Sequence, residues 1–173
     1  NFVKLCDATP WSIKSYTDHV SEYVKQEVGD RKVFILVSGG VDSTVAFVLL
    51  NTVLGPDRVQ GLYIDTGMMR KDESKEIDTA FTKLGIKNLR IEDASEYFIK
   101  KLAQVYEPEE KRWIIGDAFL SIQKRVSEEM DLKMEDGWML GQGTIYPDTI
   151  ETGETKNADK IKTHHNRIEE IQK

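Results

Sequence analysis

"KVFILVSGGVDSTVAFVLL", residues 32–50, decides how this chain folds. Residues 32–37 are a short apolar run rich in β-branched side chains, the pattern of a strand buried on both faces. From Val41 the spacing of Val41, Val45, Val48, Leu49 and Val53 is helical, and Gly55-Pro56 stops it. Between strand and helix the chain spends its positions on Ser38, Gly39, Gly40, Asp42, Ser43 and Thr44, none of which helps to bury a helix.

The same alternation extends in both directions. Upstream, Thr9-Pro10 reads as the cap and first residue of an amphipathic helix with Ile13, Tyr16, Val20 and Val24 on one side, ended by Gly29-Asp30. Downstream, residues 59–65 read as a second strand and 72–84 as a helix ended by Gly85. Residues 88–93 read as a third strand and 95–105 as a helix. Pro108 opens a long helix to about Met130, and 137–141 form a further buried strand. Strands alternating with helices predict an α/β fold, a parallel twisted sheet with helices on both faces. The expected organisation is one domain over 1–173, with a leading helix in 1–30 and a polar lid region over 142–173.

Composition narrows the partners. With 39% hydrophobic and 31% charged residues the chain fits a soluble globular protein. No apolar run approaches the roughly 20 residues of a membrane helix, and no basic leader marks a secretory signal. The single cysteine, Cys6, forms no intrachain disulfide, and a reducing, cytoplasmic location is expected. Net charge is −6 with scattered cations, which argues against a dedicated nucleic-acid binder, because such binding runs on phosphate neutralisation.

A loop between a parallel strand and the next helix lies at the carboxyl edge of the sheet, where open α/β sheets bind ligands. Gly39 and Gly40 let backbone amides approach an anion, Ser38, Ser43 and Thr44 add hydroxyls, and the helix from Val41 points its positive end at the same place. This is a phosphate cradle. It is neither a Walker A loop, since no Gly-Lys-Ser/Thr occurs, nor a dinucleotide fingerprint: after Gly141-Gln142-Gly143, Tyr146 stands where the third glycine belongs. Asp42 would repel bound phosphates unless a cation intervened, so it predicts a Mg²⁺ ion bridging protein and phosphates.

"SGGVDS" (38–43) resembles the pyrophosphate-binding loop of the ATP pyrophosphatases, enzymes that cleave ATP between its α and β phosphates. "LYIDTGMMRKDE" (62–73), "PEEKRWIIGDAF" (108–119), "GQGTIYPDTIET" (141–152) and "KIKTHHN" (160–166) resemble, in order and spacing, the ATP-pyrophosphatase domain of GMP synthetase. The likeness covers roughly residues 8–173. It implies an adenine-nucleotide alpha-hydrolase-like fold with ATP and Mg²⁺ on Ser38, Gly39, Gly40, Val41, Asp42, Ser43 and Thr44, and Asp42 on the metal. It implies adenylylation of xanthosine monophosphate (XMP), then displacement of AMP by ammonia to give GMP. Two family parts are missing from the sequence: a glutamine amidotransferase, as domain or subunit, and a C-terminal domain that makes a homodimer. A fragment or one subunit of a split enzyme is therefore expected.

Other residues carry two readings each. Ile115, Ala118, Phe119, Ile122 and Val126 form one apolar face of the long helix, with Lys111 and Arg112 at its margins and Trp113 pointing away. Arg112 either snorkels beside the core or forks onto a phosphate or purine carbonyl; the resemblance implies contact with the nucleotide substrate. Asp148 and Glu151 are solvated loop carboxylates or converge on a metal; the resemblance makes them ATP–Mg²⁺ or adenylation residues, with Thr152 where a serine is more usual. His164 and His165 lack the company of a zinc site and look like part of a mobile lid, in which Lys162 would carry charge to the phosphates. Arg70, in "GMMRKD", is a weaker candidate for such a charge, with surface charge the favoured reading. The alternatives are a tRNA-modifying ATP pyrophosphatase, an NAD synthetase, or a non-catalytic nucleotide-binding module. Cys6 alone and the acidic balance weigh against the first, and Asp42 with the later motifs against the last.

Overall fold

The computed structural model describes residues 12–143. Four strands, β1 (Lys32–Leu36), β2 (Val59–Asp65), β3 (Leu89–Asp93) and β4 (Trp138–Gly141), form one sheet in the order β3-β2-β1-β4 with every pair parallel. The helices are α1 (Ile13–Val28), α2 (Val41–Leu54), α3 (Glu73–Lys83), α4 (Ser95–Leu102) and α5 (Pro108–Glu129). Short 3₁₀ turns at Pro56–Arg58 and Met134–Asp136 lead into β2 and β4.

Both faces of the sheet are covered, as the alternation predicts. Val33, Ile35 and Val37 of the first strand and its exit pack with Phe47, Phe81 and Val28, which places α1, α2 and α3 on one face. Phe34 and Leu36 face the other side, where Phe98, Ala118, Ile122 and Val126 bring in α4 and α5. Gly61 lies under α2: a Cβ there would meet the Phe47 ring at 2.6 Å, so the close packing of Phe47 on β2 depends on the missing side chain.

Three expectations need correction. First, α1 begins at Ile13, capped by Ser12 in a reciprocal pair with Ser15; Ser12 is extended (φ −140°, ψ 150°), so helix does not run through it from Thr9-Pro10, which lie outside the described residues. Second, α4 stops at Leu102 rather than 105. Third, the helical spacing of Val41, Val45, Val48, Leu49 and Val53 does not mark the buried face of α2, although Val48 packs against the core. Val41 and Val45 are 77% and 58% exposed, while Ser43, Ala46, Phe47, Leu50 and Leu54 turn inward. A helix that is apolar nearly all round has no periodic signal to choose its face, and the loop before it makes the choice, as shown below.

Edge strand β3 is tied to the C-terminal end of α5 by a four-member charge network. Arg125 donates to Glu92 (2.7 Å) and Glu129 (2.8 Å), and Arg90 donates to Glu92 (2.9 Å) and Glu129 (2.6 Å). Hydrogen bonds from Arg125, then Arg90, hold the Glu92 carboxyl below its ordinary range against the opposing effect of burial; the same two partners lower Glu129. A carboxyl depressed in the folded state stabilises fully above its unfolded value and loses that contribution as pH falls through the folded one. Between about pH 6 and about pH 3, Glu92→Gln should therefore show a shallower decline of melting temperature than the wild type. Parallel curves in a thermal-shift titration would show the network to be energetically idle.

Candidate functional site: a phosphate cradle at the carboxyl edge

The chain runs from β1 outward to β2 and β3, then returns to place β4 on the other flank of β1. The strand order therefore reverses beside β1, and open α/β sheets bind ligands at such a switch point, beyond the carboxyl ends of the strands. The loop leaving β1 occupies that place. A Cβ on Gly143, just past β4, would lie 3.9 Å from the Ser43 Cα, so the chain leaving β4 passes the start of α2.

Ser43 shapes the loop. Its hydroxyl, on a residue only 9% exposed, accepts from the Ser38 amide (3.1 Å) and donates to the Gly40 carbonyl (3.2 Å). With that proton committed, the Ser38 hydroxyl donates to Ser43 Oγ (3.0 Å) and accepts from the Gly40 amide (3.4 Å). Both serine hydroxyl protons are thus used inside the loop. What faces outward is backbone: α2 starts at Gly40 with no side-chain cap, leaving its first amides to an incoming anion. The serines shape the cradle and the amides present the charge.

The two glycines differ in their reasons. Gly39 has φ +82°, and a Cβ there would meet Ile77 Cδ1 at 2.5 Å and Tyr63 Cε2 at 3.6 Å, so α3 and β2 form the floor under it. Gly40 has an ordinary φ of −69°, and its Cβ would meet only Ser38 Oγ at 3.4 Å. Asp42 is exposed in the first turn of α2 and has no hydrogen-bond or ion-pair partner among the described residues. No group of three or more His, Cys, Asp or Glu side chains capable of holding a metal occurs among them. That donor set fits Mg²⁺, which is commonly held by one or two carboxylates plus substrate phosphates rather than by an all-protein cage. Val41 and Thr44 share the first turn, Val41 outward and Thr44 half-buried.

The neighbouring loop carries features that periodicity and motif spacing do not mark. Asp65, at the end of β2, accepts from the Gly67 amide (2.9 Å) and from the Ser74 hydroxyl of α3, pinning the β2–α3 loop at both ends. Tyr63 is fully buried against the cradle floor with an unpartnered hydroxyl, because nearby Ser74 turns to Asp65; burial pushes the phenol above its ordinary value. The available signal was positional: "DTG" follows β2 as "SGG" follows β1.

Arg112 lies in the exposed opening turns of α5 and pairs with Glu109 on the same helix. The apolar face of α5 forms as predicted, and Trp113 points away, 71% exposed. Asp148, Glu151, Lys162, His164 and His165 lie outside the described residues.

Comparison with known proteins places this geometry. The family model described as NAD synthase matches residues 12–119. The chain belongs to the NAD synthase family. Relatives of this NAD synthase family member include a probable glutamine-hydrolysing GMP synthase of Leptospira interrogans, 49% identical over 100% of the chain and 29% of that protein. A glutamine-hydrolysing GMP synthase of Carboxydothermus hydrogenoformans is 42% identical over 96% of the chain and 32% of that protein. One subunit of the glutamine-hydrolysing GMP synthase of Methanocaldococcus jannaschii is 45% identical over 88% of the chain and 46% of that protein. The chain thus spans less than half the length of these relatives. In fold it resembles an NH₃-dependent NAD synthetase from Campylobacter jejuni, at a TM-score of 0.61 and 13% identity over 87% of the chain and 63% of that protein. The fold is adenine-nucleotide alpha-hydrolase-like, that of the ATP pyrophosphatases.

The cradle geometry yields a paired expectation. Gly39→Ala should cost about 1–3 kcal/mol of stability, because a left-handed backbone must now carry a Cβ. Gly40→Ala should leave the melting temperature nearly unchanged yet weaken nucleotide binding by crowding the anion. Equal thermal losses in the two variants would show that the loop depends on both glycines for folding alone.

Proposed function

We propose that this chain is the ATP-pyrophosphatase part of a GMP synthetase: it activates XMP with ATP and aminates it with ammonia, releasing AMP and pyrophosphate. The observation that carries the reading is the uncapped start of α2 behind a glycine loop knotted by Ser38 and Ser43, at the switch point of the sheet. The GMP synthase relatives support the choice of substrate.

In this reaction the XMP C2 carbonyl oxygen attacks the α-phosphorus of ATP as the adjacent ring nitrogen gives up its proton. The bond from that phosphorus to the bridging oxygen breaks, and pyrophosphate leaves into the Gly39-Gly40 cradle, toward the amides of the first turn of α2. Ammonia then forms the C2–N bond as the C2–O bond to AMP breaks and an ammonia proton is lost. The protein contributes positioning and charge stabilisation rather than a nucleophile. Asp42 would hold Mg²⁺, which offsets the phosphate charge next to that carboxylate. Arg112 would contact XMP, while Asp148, Glu151 and Lys162 would serve ATP–Mg²⁺ and the adenylylation. Ammonia would come from a glutamine amidotransferase domain or subunit, and a further C-terminal domain would complete a cytoplasmic homodimer. No helix among the described residues is long and apolar enough to cross a membrane.

XMP-dependent ATP:pyrophosphate exchange, measured on the chain extended through a C-terminal domain, tests the whole reading; exchange indifferent to XMP would return the chain to the NAD synthetase alternative. The metal assignment is tested separately by calorimetry. Asp42→Asn should weaken Mg·ATP binding about tenfold or more while AMP binding holds. Equal losses for the two ligands would remove Asp42 from the metal.

Arg112 has a cleaner test than its sequence position suggested. Its side chain is 59% exposed and, among the described residues, pairs only along its own helix, an interaction worth no more than about 0.5 kcal/mol. Arg112→Lys should therefore leave the melting temperature unchanged. If the fork grips XMP, the extended enzyme's KM for XMP should rise about 10- to 150-fold while the ATP KM stays put. An unchanged XMP KM would make Arg112 a surface residue.

A further inference from the structure

Six arginines fall among the described residues, and five have their guanidinium engaged. Arg31 donates to the Val28 carbonyl (3.2 Å) and Arg58 to the Arg31 carbonyl (2.7 Å). Arg90 and Arg125 share Glu92 and Glu129, and Arg112 takes Glu109. Arg70 is the exception: exposed, with no side-chain partner among the described residues.

That freedom is arranged by the loop. Glu73, three residues on, is the natural partner for an ion pair, but its carboxylate accepts from the Arg70 amide (2.7 Å) while its own amide donates to the Arg70 carbonyl (3.1 Å). That carboxylate thus clamps the backbone of Arg70 and leaves its side chain unpaired among the described residues. Asp65 is committed to Gly67 and Ser74, and Asp72 to Lys75 (3.4 Å). The Met68 amide donates to the buried Thr66 (3.3 Å), so the loop from β2 to α3 is bonded along its length. In a chain with 30 acidic and 24 basic residues, an arginine kept from every carboxylate is costly to neglect.

Its position gives the arrangement a use. The loops leaving β1 and β2 emerge side by side at the carboxyl edge, since β1 and β2 pair through Leu36 and Leu62. They also share a floor, because Gly39 rests on Tyr63 of β2 and Ile77 of α3. Residues 38–44 contain no cation and one carboxylate, so the cradle cannot by itself balance a pyrophosphate. A free planar guanidinium suits that anion, because it offers paired donors at fixed spacing.

We propose that Arg70 is a further anion-binding residue of this domain, held unpaired on the clamped β2–α3 loop to contact the pyrophosphate portion of the nucleotide carried by residues 38–44. This rests on the phosphate-cradle reading above and revises the expectation of surface charge. Lys71, equally exposed but without the backbone clamp, serves as the control.

Calorimetry on the full 173-residue chain tests it with Mg·ATP, magnesium pyrophosphate and AMP as probes. Arg70→Gln should weaken Mg·ATP and pyrophosphate binding about tenfold or more, the effect of losing a charge-assisted contact. AMP affinity and melting temperature should stay at wild-type values, and Lys71→Gln should bind all three probes normally. Wild-type ATP and pyrophosphate affinity in Arg70→Gln overturns the proposal and leaves the cradle standing. So does an equal loss in the Lys71 variant, which reports only a general field, or an equal loss of AMP. Failure of the wild-type chain to bind ATP or pyrophosphate overturns the cradle and the proposal together.

Discussion

The hydroxyl of Ser43 is the point on which the functional edge of this domain depends. A single oxygen accepts from the amide and hydroxyl of Ser38 and donates to the carbonyl of Gly40, closing the loop on itself before the first helical turn is complete. To make those bonds Ser43 must point inward, and residues three, four, seven and eleven positions later must then share its face. That is why Phe47 is buried, Ala46, Leu50 and Leu54 pack half-buried beside it, and Val41 and Val45 are exposed. One hydroxyl therefore sets both the shape of the anion site and the rotation of the helix behind it.

The rotation propagates. With Phe47 inward, its ring lies over Gly61 of β2 and meets Phe81 of α3 edge to face at 5.3 Å. α3 is thereby held where Ile77 reaches under Gly39, and the cradle floor comes from elements well downstream of the loop it supports. A left-handed glycine over a half-buried isoleucine and a buried tyrosine is a stiff arrangement. Stiffness suits a site that acts by presenting amides already in place, since donors that need no rearrangement bind charge most effectively.

The opposite face of the sheet is organised differently. α4 and α5 pack through Phe98, Ala118, Ile122 and Val126, and the Arg90–Glu92–Arg125–Glu129 network fastens the outer strand. The C-terminal end of α5 is thus anchored beside β3, and its first turns, with Arg112 and Trp113, stand exposed.

By itself the sequence determined the element order and the parallel sheet covered on both faces, and it marked the glycine-serine loop as a candidate anion site. These rest on local signals: apolar runs of strand length, Gly-Pro stops, and a glycine-serine loop that no buried helix needs. Likeness over five ordered motifs pointed to the GMP synthases, among which the relatives are found. Only the tertiary structure decided which face of α2 is buried, that Gly39 and not Gly40 is required by backbone geometry, and that the serine hydroxyls are spent within the loop. It alone separated Arg70 from the other arginines, because whether a cation is paired depends on where each neighbouring carboxylate has already bonded. Periodicity records the spacing of residues along one element, and these outcomes turn on contacts between elements, which the spacing does not encode.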